Sequence, residues 1–350
     1  VHWQPVFEEC ARAPCLTWTR SAQTNLLSRP SMDVLVLAGG FGTRLRPWTS
    51  GRAKPLLPLL DKTLLERVVE CVPSGMVDRV VVAAGYGIDE MRDFSSSGEA
   101  EYEIVLSVEE EALGTGGAVA NARNHLTGSG PVLVLNGDLV SSVDVESLID
   151  HHNMKSASAT LSLWEVEDPS RFGVCDLDQG GMIRRFQEKP EPGTEFSNLI
   201  NAGCSVISRE TLDSLPSGSY SMEREIFPEI AESGGMAGLE FSGYFVDAGT
   251  PESFIEAAQV CIQNVRFSSG HIEGDSWFGS GSKCEGEVSG CSIGPGAVIS
   301  SGARLTDCVV LGGSMVGKDA ILNRCLVGEG ASVSPESTLD GRIIGHGESE

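Results

Sequence analysis

The amino-acid sequence predicts an α/β protein: a doubly wound mixed sheet over residues 32–264, followed by a short parallel β-coil over residues 268–345. Three observations lead there. From Met32 onward, short runs rich in Val, Ile and Leu alternate with amphipathic segments, which is the β-α-β rhythm of a doubly wound sheet. Past about residue 158 the apolar runs crowd together with turn signals between them, adding hairpins to the same sheet. From Ile293 an apolar residue recurs every six positions, and the whole pattern repeats after 17 residues.

The elements follow in order. Val34–Ala38, Val80–Ala84, Ile104–Ser107 and Val132–Leu135 are predicted as buried strands, being short and continuously apolar. Lys62–Cys71, Gly116–Leu126 and Val143–His151 fall between or after them as helices. The segment DLDQGG between Cys175 and Met182 predicts a hairpin turn, with Ile183–Gln187 as its second strand. In the coil, Ile293, Ile299 and Leu305 are followed one repeat later by Val310, Val316 and Leu322, then by Val327, Val333 and Leu339. Cys291, Cys308 and Cys325 share the period, and Ala297, Ala303, Ala320 and Ala331 stand four places after apolar positions. Such a chain forms a three-sided coil whose rungs stack like side chains, with the cysteines in its core. This pattern resembles the hexapeptide repeats of left-handed β-helices. A degenerate first coil is expected around Ile272–Val288.

Residues 1–31 stand outside these patterns. They hold two of the five tryptophans and show neither helical nor strand periodicity. We read them as an unstructured leader, a mis-called extension upstream of a start at Met32; a genuine N-terminal arm is the alternative. A peptide from Val1–Arg29 in the mass spectrum of protein from the native host would rule out the first reading.

Composition excludes several function classes. The 350 residues include 25 basic and 49 acidic side chains, for a formal net charge of −24. So acidic a surface repels nucleic acid and anionic membranes. No apolar run approaches a membrane span. The ten cysteines include no CxxC pair, and with no signal-like segment a reduced, cytoplasmic setting is expected.

Against this acidic background, LAGGFGTRLRPWTSGRAKP, residues 37–55, gathers three arginines and a lysine beside a glycine-rich turn. The turn follows a buried strand and so lies at the carboxyl edge of the sheet, where open α/β sheets bind ligands. Its spacing is neither GxGxxG nor a Walker loop. Gly39, Gly40 and Gly42 allow close approach of backbone N–H groups to phosphate, and Arg44 and Lys54 add positive charge.

These residues, with Lys54-Pro55 downstream, resemble the signature of sugar-1-phosphate nucleotidylyltransferases. LGTGGA (113–118), NGD (136–138), FGV (172–174), QEKP (187–190), NLINAG (198–203), EREIFP (223–228) and GYFVDAGTPE (243–252) agree in order. Their wording is most similar to the mannose-1-phosphate guanylyltransferases. The resemblance implies a Rossmann-like sheet of the nucleotide-diphospho-sugar transferase type and transfer of a nucleotidyl group from an NTP to a sugar 1-phosphate. It further implies Mg²⁺ held by Asp138 and Asp247. Arg44, Lys54, Asp138, Lys189 and Asp247 are then the catalytic residues. Leu37, Gly39, Gly40, Gly42, Thr43, Arg44, Lys54, Glu109 and Gly114 bind the nucleotide. Gly173, Glu188, Lys189 and Asn201 bind the sugar phosphate. A homo-oligomer is expected, with the β-helix as the candidate interface.

Such a reaction needs no general base, because the sugar phosphate is already ionised, and none of the six histidines falls within the motifs. Glu109 favours guanine, since a carboxylate only accepts hydrogen bonds and guanine offers N1–H and an exocyclic amine; Glu110 and Glu111 leave the register open. Thr250-Pro251-Glu252 reads as a helix N-cap with a first-turn proline and acid. Three departures loosen the substrate assignment: Gln187 for an apolar residue, Phe245 for Trp, and a glycine for alanine in LGTGGA. A glucose-1-phosphate thymidylyl- or uridylyltransferase, a non-catalytic regulatory paralogue, and a hexapeptide acetyltransferase joined to a remnant domain are the alternatives. The last generally needs a histidine on the coil, where only His271 and His346 lie, both at its ends.

Overall fold

The computed structural model describes residues 32–77, 79–98 and 100–350; the reading of residues 1–31 lies outside the described residues. Nine strands form the main sheet: β1 Asp33–Leu37, β2 Arg79–Ala84, β3 Glu103–Val108, β4 Val132–Asn136, β5 Ala159–Glu165, β6 Gly173–Leu177, β7 Ile183–Glu188, β8 Leu199–Ile207 and β9 Met236–Glu240. Their order is β7-β6-β8-β4-β1-β2-β3, with β5 pairing β8 and β9. β1 is central and parallel to both neighbours, so Leu37 pairs with Ala83 and with Asn136, and three strands end together at one edge. Their Val- and Leu-rich composition reflects burial on both faces.

The strand expectations hold within a residue or two at either end. The helix expected at Lys62–Cys71 is shorter, Leu64–Val69, because Lys62–Thr63 pair with Pro58–Leu59 in a tight hairpin and Thr63 then caps the helix in a reciprocal box with Glu66. The helix expected at Gly116–Leu126 runs Gly114–Ala122 before a 3₁₀ turn, and that at Val143–His151 runs Val145–Lys155. Thr250 does cap the helix Pro251–Gln263, accepting from the Ser253 N–H.

The C-terminal region stacks three faces of short parallel strands, consistent with the expected left-handed β-helix. Phe278, Ile293, Val310, Val327 and Ile344 form one column, Cys284, Ile299, Val316 and Val333 a second, and Val288, Leu305, Leu322 and Leu339 a third. The stacked cysteines are buried, with each of the Cys308 and Cys325 N–H groups donating to the thiol one coil earlier. Ile272 departs from expectation. His271–Glu273 pair antiparallel with Ser276–Phe278, so the first parallel rung begins only at Ser276. A separate apolar cluster joins Leu45, Trp48 and Phe254 to Val309, Leu311 and Leu326 on the outside of the coil.

Candidate active site

The glycine turn leaves β1 at the carboxyl edge of the sheet. Gly42 adopts φ +59°, and a Cβ there would come within 2.9 Å of the Thr49 methyl, so glycine is required where the chain turns into the 3₁₀ segment Thr43–Leu45. Thr49 Oγ1 donates to Gly42 O at 2.8 Å and fixes the turn. Gly39 and Gly40 are exposed, leaving their backbone open to a ligand. Beside them, the Gly137 N–H donates to Leu37 O at 2.9 Å and sets Asp138 against the end of β1.

Four charged side chains meet there. Lys54 is buried, and its Nζ donates to Asp138 Oδ2 at 2.6 Å. Asp247 lies on a short strand, Phe245–Asp247, paired antiparallel with Leu139–Ser141, and the Ala248 N–H donates to Asp138 O at 2.9 Å. Burial, and then the neighbouring Asp138 carboxylate, push the Asp247 carboxyl above its ordinary range, while Lys54 and Arg44 oppose the shift. A Cβ on Gly249 would lie 2.6 Å from Arg44 Nη2 and 2.8 Å from Asp247 Oδ1, so this glycine is what lets the guanidinium approach.

Asp247 Oδ1 is buried and has no hydrogen-bond partner among the described residues. A buried orphaned carboxylate oxygen beside a second carboxylate fits a hard divalent cation. Among the described residues no larger His/Cys/Asp/Glu group stands ready to complete a metal shell. Mg²⁺ is commonly held by one or two carboxylates together with phosphate oxygens and water, so the Asp138–Asp247 pair with its orphaned Oδ1 matches what that ion takes from a protein.

Two clefts adjoin this cluster. One, of about 180 Å³, is lined by Leu37, Gly40, Gly42, Thr43, Lys54 and Asp138, among others. The second, of about 680 Å³, takes in Lys189, Asp247, Trp164, Arg171 and Phe245. Arg44 lines both, standing at the junction.

The remaining expected residues lie on either side. Glu109 is half-buried, with Oε2 accepting from the Leu113 N–H at 3.1 Å, and a Cβ on Gly39 would lie 3.2 Å from its Oε1. Glu110 and Glu111 are exposed, so Glu109 is the carboxylate that faces the glycine turn. Gly114, at φ +66°, begins the helix beyond it. Glu188 closes β7, and Lys189 follows at φ +45° with its Nζ 3.3 Å from Glu188. Burial raises the Glu188 carboxyl, Lys189 lowers it, and nearby Glu223 raises it further. Gly173 packs against Glu188 and the Phe186 ring. Asn201 Oδ1 accepts from the Gly203 N–H at 3.1 Å and lies apart from both clefts, in a narrow recess with Asn136 and Glu223.

Sequence reasoning passed over several side chains. Glu223 accepts from Thr115 Oγ1 at 2.5 Å and from Ser221 Oγ at 2.7 Å, tying LGTGGA to a single π-helical turn, Met222–Ile226. Such turns often occur at functional sites. Trp164 and Phe172 pack at 6.2 and 6.3 Å from Phe245, filling out the aromatic wall where a tryptophan was expected. The signal for Glu223 was present in EREIFP; nothing local pointed to Trp164.

Residues 33–264 match the Nucleotidyl transferase family. The chain is 34% identical over 295 residues to mannose-1-phosphate guanylyltransferase 1 of Arabidopsis thaliana, covering 79% of this chain and 80% of that protein. It is 36% identical over 239 residues to the mannose-1-phosphate guanylyltransferase catalytic subunit beta of Xenopus tropicalis, covering 67% and 66%. Among solved structures, HddC from Yersinia pseudotuberculosis complexed with GMP-PN superposes with a TM-score of 0.56 at 28% identity, covering 65% of this chain and 98% of that one.

Proposed function

We propose, from the premise that this chain belongs to the nucleotidyl transferase family, that it transfers a guanylyl group from GTP to mannose 1-phosphate, giving GDP-mannose and pyrophosphate. An oxygen of the sugar phosphate forms a bond to the α-phosphorus while the bond from that phosphorus to the pyrophosphate oxygen breaks. No proton need move, so the protein's tasks are to bring two polyanions together and to steady the charge in line.

The chain's own residues divide that work. The exposed N–H groups of Gly39 and Gly40 and the turn through Gly42 cradle phosphate. Lys54 keeps one donor on Asp138 and turns its others toward the phosphates. Arg44, at the junction of the clefts, offers its guanidinium fork to both anions. Lys189 receives the sugar phosphate, with Glu188 on sugar hydroxyls and Gly173 and Asn201 shaping that side. Glu109 accepts from the guanine edge. Asp138 and Asp247 would hold Mg²⁺, which when bound neutralises phosphate charge.

The observation that carries this reading is the convergence of Arg44, Lys54, Asp138 and Asp247 where the two clefts meet. It is supported by the name of both curated relatives and by the GMP-PN complex of HddC. The test is pyrophosphate release with GTP, dTTP, UTP and ATP, each paired with mannose 1-phosphate and glucose 1-phosphate plus Mg²⁺. Preference for dTTP with glucose 1-phosphate would overturn the guanine and mannose assignments, and no turnover with any pair would overturn the transferase reading itself.

A further inference from the structure

The segment linking the glycine turn to Lys54 rests on the far end of the β-helix. Trp48, fully buried, donates its Nε1–H to Ile344 O at 2.8 Å across 296 residues of sequence. His346, on the final coil, lies 3.2 Å from Trp48 O through Nε2. Its Nδ1 lies 3.0 Å from the Glu329 backbone N–H. An amide N–H can only donate, so Nδ1 must accept and the imidazole proton sits on Nε2, where it donates to the Trp48 carbonyl. The two rings stack at 5.9 Å, and Arg52 adds a 2.8 Å ion pair to Glu329.

These contacts lead straight into the cleft. Thr49, the residue after Trp48, donates to Gly42 O, and Gly42 packs against both Thr49 and the Lys54 stem. Leu45 and Trp48 share one apolar cluster with Val309, Leu311 and Leu326 of the coil. The opposite side of the segment is held by Tyr86, whose hydroxyl donates to Thr49 O at 3.0 Å, and by Glu90, which accepts from the Ala53 N–H at 2.7 Å. The coil therefore supplies one wall of a clamp whose other wall is the turn after β2 and the helix Ile88–Ser97 that follows it.

We infer that the last coil of the β-helix is a positioning element of the nucleotide cleft, with His346 as the neutral donor that sets the Trp48–Lys54 segment. This rests on the reading of the Gly42–Lys54 cleft as the nucleotide subsite. Since misplacement of about 1 Å in a positioning segment can cost a large factor in rate, two hydrogen bonds at its apex are enough to matter.

The test compares the full chain with His346→Ala, which loses both bonds, and His346→Gln, whose amide N–H still reaches toward Trp48 O. Trp48→Phe, which keeps a ring and loses only the Ile344 bond, is the second probe. Hydrogen exchange across residues 42–54 is measured without substrate, alongside KM for GTP and for mannose 1-phosphate. We expect His346→Ala to speed exchange in that segment and raise KM for GTP roughly three- to tenfold, the worth of about one net hydrogen bond. His346→Gln should recover most of both, Trp48→Phe should speed exchange in the same segment, and KM for mannose 1-phosphate should stay within about twofold. Unchanged exchange over 42–54 in both His346→Ala and Trp48→Phe, an unchanged KM for GTP, or a loss that Gln does not recover would overturn the inference. The exchange measurement needs no turnover, so a wild type that transfers no nucleotide would sink the proposed function while exchange still decides whether the coil holds the segment.

Discussion

Gly116 offers a sharp test of how the loop that holds Glu109 is packed. A Cβ at this position would overlap the Cδ2 and Cε2 edge of the Tyr220 ring. The ring cannot retreat easily, because Tyr220 is tied at three points. Its N–H donates to Leu113 O at 3.0 Å, its carbonyl accepts from the Gly116 N–H at 3.0 Å, and its hydroxyl donates to Pro216 O at 2.9 Å. Gly116→Ala therefore either strains the backbone or swings the half-buried ring into solvent and breaks the Pro216 bond. Overpacking of this kind costs about 1–3 kcal/mol. At about 2.1 cal/mol/K of unfolding entropy per residue, a chain of 350 residues shifts by about 1.4 °C per kcal/mol, so Tm should fall by roughly 1–4 °C. The Leu113 N–H that holds Glu109 belongs to the same loop, so KM for GTP should rise as well. In Gly116→Ala/Tyr220→Ala the overlap is gone, and the double-mutant cycle should return at least about 1 kcal/mol of favourable coupling. A single mutant within about 0.5 kcal/mol of wild type, or a strictly additive double mutant, would refute the packing account. It would leave glycine at this position without a structural reason.

Other perturbations reach the remaining parts of the site. Asp247→Asn should cut turnover by on the order of 100-fold or more, since metal stabilisation of transferring charge is worth several kcal/mol. The same change should raise the metal-free Tm at neutral pH. The Asp247 carboxyl is raised in the fold by burial and Asp138, so its cost is absent at low pH and grows as pH rises through the folded value; equal Tm–pH slopes in wild type and variant would refute this. Lys189→Ala should raise KM for the sugar phosphate and leave GTP affinity measured without sugar unchanged; the reverse pattern in equilibrium binding would mean the subsites are exchanged. Glu109→Gln should narrow the preference for GTP over dTTP and UTP by about ten- to a hundredfold in kcat/KM, because a carboxylate facing a pyrimidine carbonyl is left unpaired. His346 is held below its ordinary value by burial and by Arg52, with the Trp48 carbonyl, Glu329 and Glu90 opposing, so Nδ1 stays free to accept from the Glu329 N–H at higher pH; as pH falls through the lowered value Nδ1 takes up a proton and that bond is lost, while Nε2 still donates to Trp48 O. KM for GTP should climb only below about pH 6.5 in wild type and stay flat in His346→Gln.

Much of the fold lies in local pattern. The Val- and Leu-rich runs at Asp33–Leu37 and Val132–Asn136 could be read because strands buried on both faces tolerate almost nothing else. The 17-residue register of the coil could be read because each rung must stack like on like, so every apolar column is written out at fixed spacing. The cap at Thr250 and the turn at Gly42 are set by neighbours a few residues away. The family motifs named most of the charged residues, yet a motif gives no distance. Only the tertiary structure brings Asp247 to Asp138, leaves Oδ1 without a partner and seats Arg44 at the wall of both clefts. It turns Glu109 toward Gly39 and leaves Glu110 and Glu111 exposed. The contacts of Gly116 with Tyr220 and of Trp48 with Ile344 were illegible for the same reason. Sequence periodicity records which face of an element is buried, while what that face meets depends on chain segments separated by about a hundred to three hundred residues, brought together by packing alone.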